Sequence, residues 1–144
     1  MCIRDRKFLG GEPVRQGPKG TIGYCLGGRL SLAAAAEFPD QFRASASMHG
    51  TRMVSDKPDS VHRLVDRMRG EIYCGFAETD DLAPPATIET MGKLFAACTE
   101  VKYRAIVHPG TVHGYALPDR DIFEKPAANR DWENIFAMFK RQLG

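Results

Sequence analysis

The stretch Gly20–Gly28, GTIGYCLGG, sets Cys25 between Gly23 and Gly27 at the point where an apolar run gives way to a run of small residues. Thr21–Cys25 reads as a short buried strand. Residues 27–42, GGRLSLAAAAEFPDQF, read as a small-residue helix that ends near Pro39. A sharp turn between such a strand and helix holds its central residue in a strained backbone and brings the two elements close together. Gly23 and Gly27 are therefore expected to relieve clashes. The turn pushes the Cys25 side chain outward, while the Leu26 amide points into the same space at a helix N-terminus. That amide can stabilise an oxyanion, and the helix end favours a thiolate. The stretch alone equally fits a buried cysteine in a glycine-rich turn.

The pattern continues outward from that turn. Residues 42–50, FRASASMHG, read as a second strand, followed by a polar loop over 55–64. Residues 70–78 read as a third strand, 79–85 as a loop and 86–100 as an amphipathic helix. Residues 102–110 read as a fourth strand and 111–127 as a long loop. The final helix is expected over 129–143, with Trp132, Ile135, Phe136 and Phe139 as its core stripe. Strands alternating with helices imply a parallel sheet covered on both faces. Met1–Arg6, MCIRDR, fits neither a helix start nor a strand and reads as a non-native lead-in. Residues 7–19 read as a loop or the remnant of an upstream helix, leaving 20–144 as the domain.

Composition narrows the function classes. A chain of 144 residues with 43% hydrophobic residues can bury one core. Its net charge of +2 comes from scattered Lys and Arg, which gives no electrostatic footprint for nucleic acid. The apolar run around Leu30–Phe38 is too short to cross a bilayer, so no membrane role is expected. Cys2, Cys25, Cys74 and Cys98 form no CxxC pair, which argues against a zinc ribbon or a thioredoxin-like motif and fits reduced thiols in a cytoplasmic protein. His62 and His108 lack partners at metal-ligand spacing, so no metal site is expected.

A cysteine nucleophile needs a base to take its proton and an acid group to orient that base. Asp80 and Asp81 follow the third strand, and His113 follows the fourth. Nucleophile, acid and histidine then sit at the carboxyl ends of different strands, in the chain order of the α/β-hydrolase fold. Read singly, either aspartate would serve as a helix cap and His113 as an ordinary loop residue. It is their joint placement that favours catalysis. His49 at the end of the second strand and Tyr24, Tyr115 and Phe123 are candidates to line the pocket, each with packing as the plainer role. Arg120 is a loop cation within reach of the same region.

With these residues in view, the chain resembles the dienelactone hydrolase (carboxymethylenebutenolidase) family, a branch of the α/β-hydrolases with a cysteine nucleophile. GYCLGG resembles its nucleophile elbow, ETDDLAPP its acid loop, HGY its histidine loop and KPAANRDWENIFAMFKRQL its closing loop and helix. The resemblance runs from about Gly20 to Leu143 and implies Cys25 as nucleophile, His113 as base and Asp80 as its partner. Pro84, four residues on, singles out Asp80 over Asp81. It also implies opening of a lactone or cleavage of an ester through a thioester, without metal or cofactor. In dienelactone-cleaving members a serine and an arginine that hold the substrate carboxylate follow the histidine. Here Gly114 and Leu117 stand there, which widens the expected substrates to other esters, lactones and thioesters.

A complete fold of this kind has about eight strands, and the pattern here supplies four. The chain is thus expected to be the C-terminal half, with the N-terminal strands and the second oxyanion donor missing, impaired in turnover and prone to self-association through an open sheet edge. The alternatives are a non-catalytic half-domain serving as an interaction module, or a thioesterase or acyltransferase on the same elbow.

Overall fold

A computed structural model describes residues 17–144. The expectations for residues 1–6 and for most of 7–19 lie outside the described residues. The elements are β1 (Lys19–Tyr24), α1 (Leu26–Glu37), β2 (Phe42–Met48), β3 (Gly70–Thr79), α2 (Pro85–Ala96), β4 (Val101–Val112) and α3 (Lys125–Leu143). Two short 3-10 turns, Val61–Arg63 and Val65–Arg67, lie between β2 and β3, within and just after the stretch expected as a polar loop.

The four strands form one parallel sheet in the order β1-β2-β3-β4. Alternation along β3 sorts the core into two layers. Ile72, Cys74 and Phe76 pack with Leu32 and Ala35 of α1 and with Met91 and Phe95 of α2. Tyr73 and Ala77 pack on the other side with Ile135 and Met138 of α3. The sheet is thus covered on both faces, as the alternating pattern predicts. Withdrawing each large apolar side chain in these layers from water contributes about 1.5–3 kcal/mol. The C-terminal end of α3 is fastened to the amino end of the sheet, where the Arg141 guanidinium donates to both oxygens of buried Glu71 at 2.6 and 3.2 Å.

Several boundaries differ from the sequence reading, each for a local reason. Lys19 already belongs to β1, because its N–H donates to the Gln41 carbonyl at the start of the sheet. α1 stops at Glu37, where the Phe38 backbone leaves helical geometry ahead of Pro39. α2 begins on Pro85, a residue whose missing N–H costs nothing in a first turn, and ends at Ala96 in a tight turn. α3 begins at Lys125, four residues before the expected start, again with a proline in its first turn. Phe136, expected in the core stripe, is 62% exposed; the buried face of α3 instead runs through Ala127, Ala128, Asp131, Ile135 and Met138. β4 continues through Val112, past the Pro109–Gly110 pair at which a strand would be expected to stop.

Candidate active site

The carboxyl edge of the sheet gathers the candidate residues. Cys25 separates β1 from α1 with φ 53° and ψ −120°, a region that non-glycine residues enter at a cost of about 1–3 kcal/mol. Hydrogen bonds from the neighbouring strand, the loop after it and the first turn of α1 hold it there. The Cys25 N–H donates to the Met48 carbonyl at 3.0 Å, and the Cys25 carbonyl accepts from Gly28 N–H at 3.1 Å and Thr51 N–H at 3.2 Å. The steric licence comes from Gly23, Gly28 and Gly50. A Cβ on Gly23 would collide with the Gly27 carbonyl, and one on Gly28 would meet the Ser47 hydroxyl and Gly50. Gly27, expected to relieve a clash by itself, faces open space; its contribution is the carbonyl that Gly23 must accommodate. Cys25 is partly exposed, and Leu26, as first residue of α1, has an N–H with no partner inside the helix.

Register explains how the acid and the histidine meet. Along β3 and β4, Ala77 pairs with His108 but Thr79 pairs with Val112, so β4 carries extra residues in a bulge at Pro109–Gly110. Gly110 adopts φ +73° there, and its N–H donates to the Glu78 carboxylate at 2.9 Å. With residue 79 opposite residue 112, the next residues on each strand, Asp80 and His113, lie face to face. His113 Nδ1 is 2.7 Å from Asp80 Oδ2, while Asp80 Oδ1 accepts the Leu82 N–H at 2.8 Å. Asp80 is buried and Asp81 exposed, which separates the two candidates. The Asp80 contact commits Nδ1 and leaves Nε2 as the ring atom able to exchange a proton. Among the described residues no hydrogen bond joins the Cys25 thiol to that ring.

His49 packs against His113 at the same edge of the sheet. It is fully buried at φ 38°, neither ring nitrogen has a hydrogen-bond partner, and its ring centroid lies 5.0 Å from His113, 5.4 Å from Tyr115 and 5.7 Å from Tyr24. Burial, and then the neighbouring His113, push its pKa down to about 4. A histidine that stays neutral in the fold but protonates in the unfolded chain near its ordinary value contributes stability that is complete above about pH 6.5. That contribution is lost as pH falls toward 4. The shift corresponds to roughly 3 kcal/mol. Urea titrations between pH 7 and 4 should therefore show a stability slope that flattens in His49→Asn, a non-titrating residue tolerant of positive φ. An unchanged slope in the variant would remove His49 as its source.

The remaining candidates are placed as follows. Tyr115 is fully buried with its hydroxyl on Asp131, so it lies beneath the site, and Phe123 is partly buried against the α3 side of the core. Arg120 is exposed in the turn after Leu117. Gly114 has φ +96°, where the serine of the dienelactone-cleaving pattern would be strained. No group of three or more His, Cys, Asp or Glu among the described residues is placed to hold a metal, and no described helix is long and apolar enough to cross a membrane.

A sequence model of the dienelactone hydrolase family matches residues 7–143. The chain belongs to that family. It is 25% identical over 127 residues to a Synechocystis protein named "Putative carboxymethylenebutenolidase", covering 86% of this chain and 50% of that protein. It is 28% identical over 126 residues to Protein usf of Aquifex pyrophilus, covering 86% and 51%. The chain spans about half the length of these curated relatives. Among solved structures it resembles a dienelactone hydrolase-like promiscuous phosphotriesterase from metagenomic libraries, at 19% identity and TM-score 0.73 over 94% of this chain and 57% of that one. It also resembles a puromycin-hydrolyzing peptidase of Mycobacterium tuberculosis, at 18% identity and TM-score 0.79 over 98% and 25%. These structural likenesses establish the α/β-hydrolase fold.

One part of this dienelactone hydrolase family member escaped the sequence reading. Asp131, His108 and Tyr73 form a buried polar cluster with Tyr115 beneath the histidine loop. Asp131 shares a helical face with Ile135 and Met138. A carboxylate in register with apolar positions was the signal available.

Proposed function

We propose that this hydrolase-family chain carries a cysteine–histidine–aspartate machinery that opens a lactone or cleaves an ester through a thioester on Cys25. The observation that supports it most is the β3–β4 register, which delivers His113 onto Asp80 at the sheet edge where the strained elbow presents Cys25. In this reading His113 Nε2 takes the Cys25 proton and the thiolate attacks the acyl carbon. The Leu26 N–H holds the resulting oxyanion. Collapse of the tetrahedral species expels the alcohol oxygen, which receives the proton from His113. A water deprotonated by the same Nε2 then attacks the thioester, releasing the acid and restoring the thiol. Gly114 and Leu117 supply no cation for a substrate carboxylate, which favours uncharged esters, lactones and thioesters.

Treating the protein with p-nitrophenyl acetate and mapping its peptides tests the reading. One acetyl group is expected on Cys25, removable by neutral hydroxylamine as a thioester is. Acetyl found only on other residues, or none on Cys25, ends it. With Leu26 as the single oxyanion donor proposed among the described residues, acylation of this chain should run about 10²–10³ slower than in a family member of about twice its length that has a second donor. Equal rates would show that one donor suffices.

A further inference from the structure

Asp131, on α3, is completely buried beneath the histidine loop. Its Oδ1 lies 2.6 Å from both the Tyr73 hydroxyl and His108 Nε2, and its Oδ2 accepts the Tyr115 hydroxyl at 2.5 Å. Room for this cluster is made by Gly75, where a Cβ would stand 2.5 Å from Asp131 Oδ1 and 2.6 Å from the Tyr115 oxygen. Packing alone does not call for such a group. Apolar side chains of similar volume fill such sites at least as stably as a desolvated carboxylate, and α3 already docks through Ile135 and Met138.

Tyr115 is the member that reaches the base. It stands two residues from His113 across Gly114. Its N–H donates to the Val112 carbonyl at 3.1 Å and its own carbonyl accepts Glu124 N–H at 2.9 Å, so its position sets the turn that carries His113. Its ring also meets His49 edge-on, and His49 meets His113 in the same way. His49 has no hydrogen bond at either ring nitrogen, so its orientation follows from these ring contacts. The His113 imidazole is thus held by Asp80 at Nδ1 and touched edge-on by His49, which Tyr115 touches edge-on in turn.

We infer that Asp131 is a positioning residue for His113, acting through the Tyr115 hydroxyl. The inference rests on the reading of His113 as the base. Burial, and then the Asp131 charge, push the Tyr115 and Tyr73 hydroxyls up, so both remain donors wherever the protein is folded.

Two variants remove one donor each from the same carboxylate. Tyr115→Phe frees the histidine turn, whereas Tyr73→Phe alters a residue in the middle of β3. In single-turnover acylation of Cys25 by p-nitrophenyl acetate, Tyr115→Phe and Asp131→Asn should each lower the limiting rate about tenfold at little-changed half-saturation. Tyr73→Phe should stay within about twofold of wild type. A second readout does not depend on turnover. The His113 imidazole signals in a nitrogen-15 spectrum should broaden or split in Tyr115→Phe and Asp131→Asn and stay as in wild type in Tyr73→Phe. Wild-type rates and spectra in Tyr115→Phe, or equal losses in both tyrosine variants, overturn the inference. If Tyr115→Phe does not fold, Asp131→Asn, which keeps an acceptor oxygen, decides the matter by the same two measures. Absence of any Cys25 acylation in wild type would instead sink the proposed chemistry, while the imidazole spectra would still report whether Asp131 orders that ring.

Discussion

Asp80→Asn should slow acylation of Cys25 by about 10³–10⁴-fold while leaving the fold intact. The size of the effect follows from the two bonds that the carboxylate makes. One oxygen accepts the Leu82 N–H at 2.8 Å and the other faces His113 Nδ1 at 2.7 Å. An ionised carboxylate can accept at both places, but an amide has one acceptor oxygen and an NH₂ group that only donates. If the oxygen keeps the Leu82 N–H, the NH₂ meets Nδ1 and forces the proton onto Nε2. The ring nitrogen assigned to take the thiol proton is then already occupied. If the amide turns over, it loses the Leu82 contact that closes the acid loop. Single-turnover acylation together with a thermal melt measures both consequences. A variant that acylates at the wild-type rate would show that Asp80 serves the loop rather than His113.

Gly23→Ala should abolish the native fold or cost at least about 4 kcal/mol, a large share of the roughly 5–15 kcal/mol that holds a domain together. The added Cβ would overlap the Gly27 carbonyl and stand 2.6 Å from Gly28 N, both backbone atoms of the first turn of α1. Neither side can yield. Gly23 is paired with Ser47 in the sheet, and the helix start is tied to the Cys25 turn. Gly27→Ala, four residues on, should do the opposite. Nothing lies within 4 Å of a Cβ there, and alanine favours a helix over glycine by up to about 1 kcal/mol. Chemical denaturation of the pair checks the contrast; comparable losses in both variants would mean that the elbow is looser than its backbone contacts indicate.

Alternating strand and helix patterns made the architecture legible, because each element carries its own periodicity and its own stop signal. Cys25, Asp80 and His113 were legible as candidates because each immediately follows a strand. Features set by contacts between distant segments were not. The Pro109–Gly110 pair reads as the end of β4, yet the strand bulges there and resumes, and only that bulge brings residue 113 level with residue 80. Gly27 and Gly28 look alike in sequence, and the sheet surface beneath them decides which one has no room for a side chain. Asp131 stands in register with Ile135 and Met138, but the two tyrosines and the histidine that make its burial tolerable come from other segments of the chain and could not be paired with it from the sequence. Phe136 is the converse, an aromatic in near-helical register left outside because α3 meets the sheet along a narrower stripe.

The backbone bonds that clamp Cys25 have a bearing on how the protein comes into being. Chains are made from the amino end at about 5–20 residues per second and begin to fold as they emerge. The partners of Cys25 are Met48, Gly28 and Thr51, two of which are synthesised well after the cysteine itself. A nascent chain that ends before Met48 lacks the bonds from β2 and from the loop after it that hold the residue at positive φ, so the cysteine is born on relaxed backbone. It acquires its strained posture when β2 docks, and the histidine level with Asp80 arrives only after two further strands have been made. The proposed pairing of Cys25 with His113 can therefore form only late in synthesis, once all four strands have been made and before the closing helix has covered the second face of the sheet.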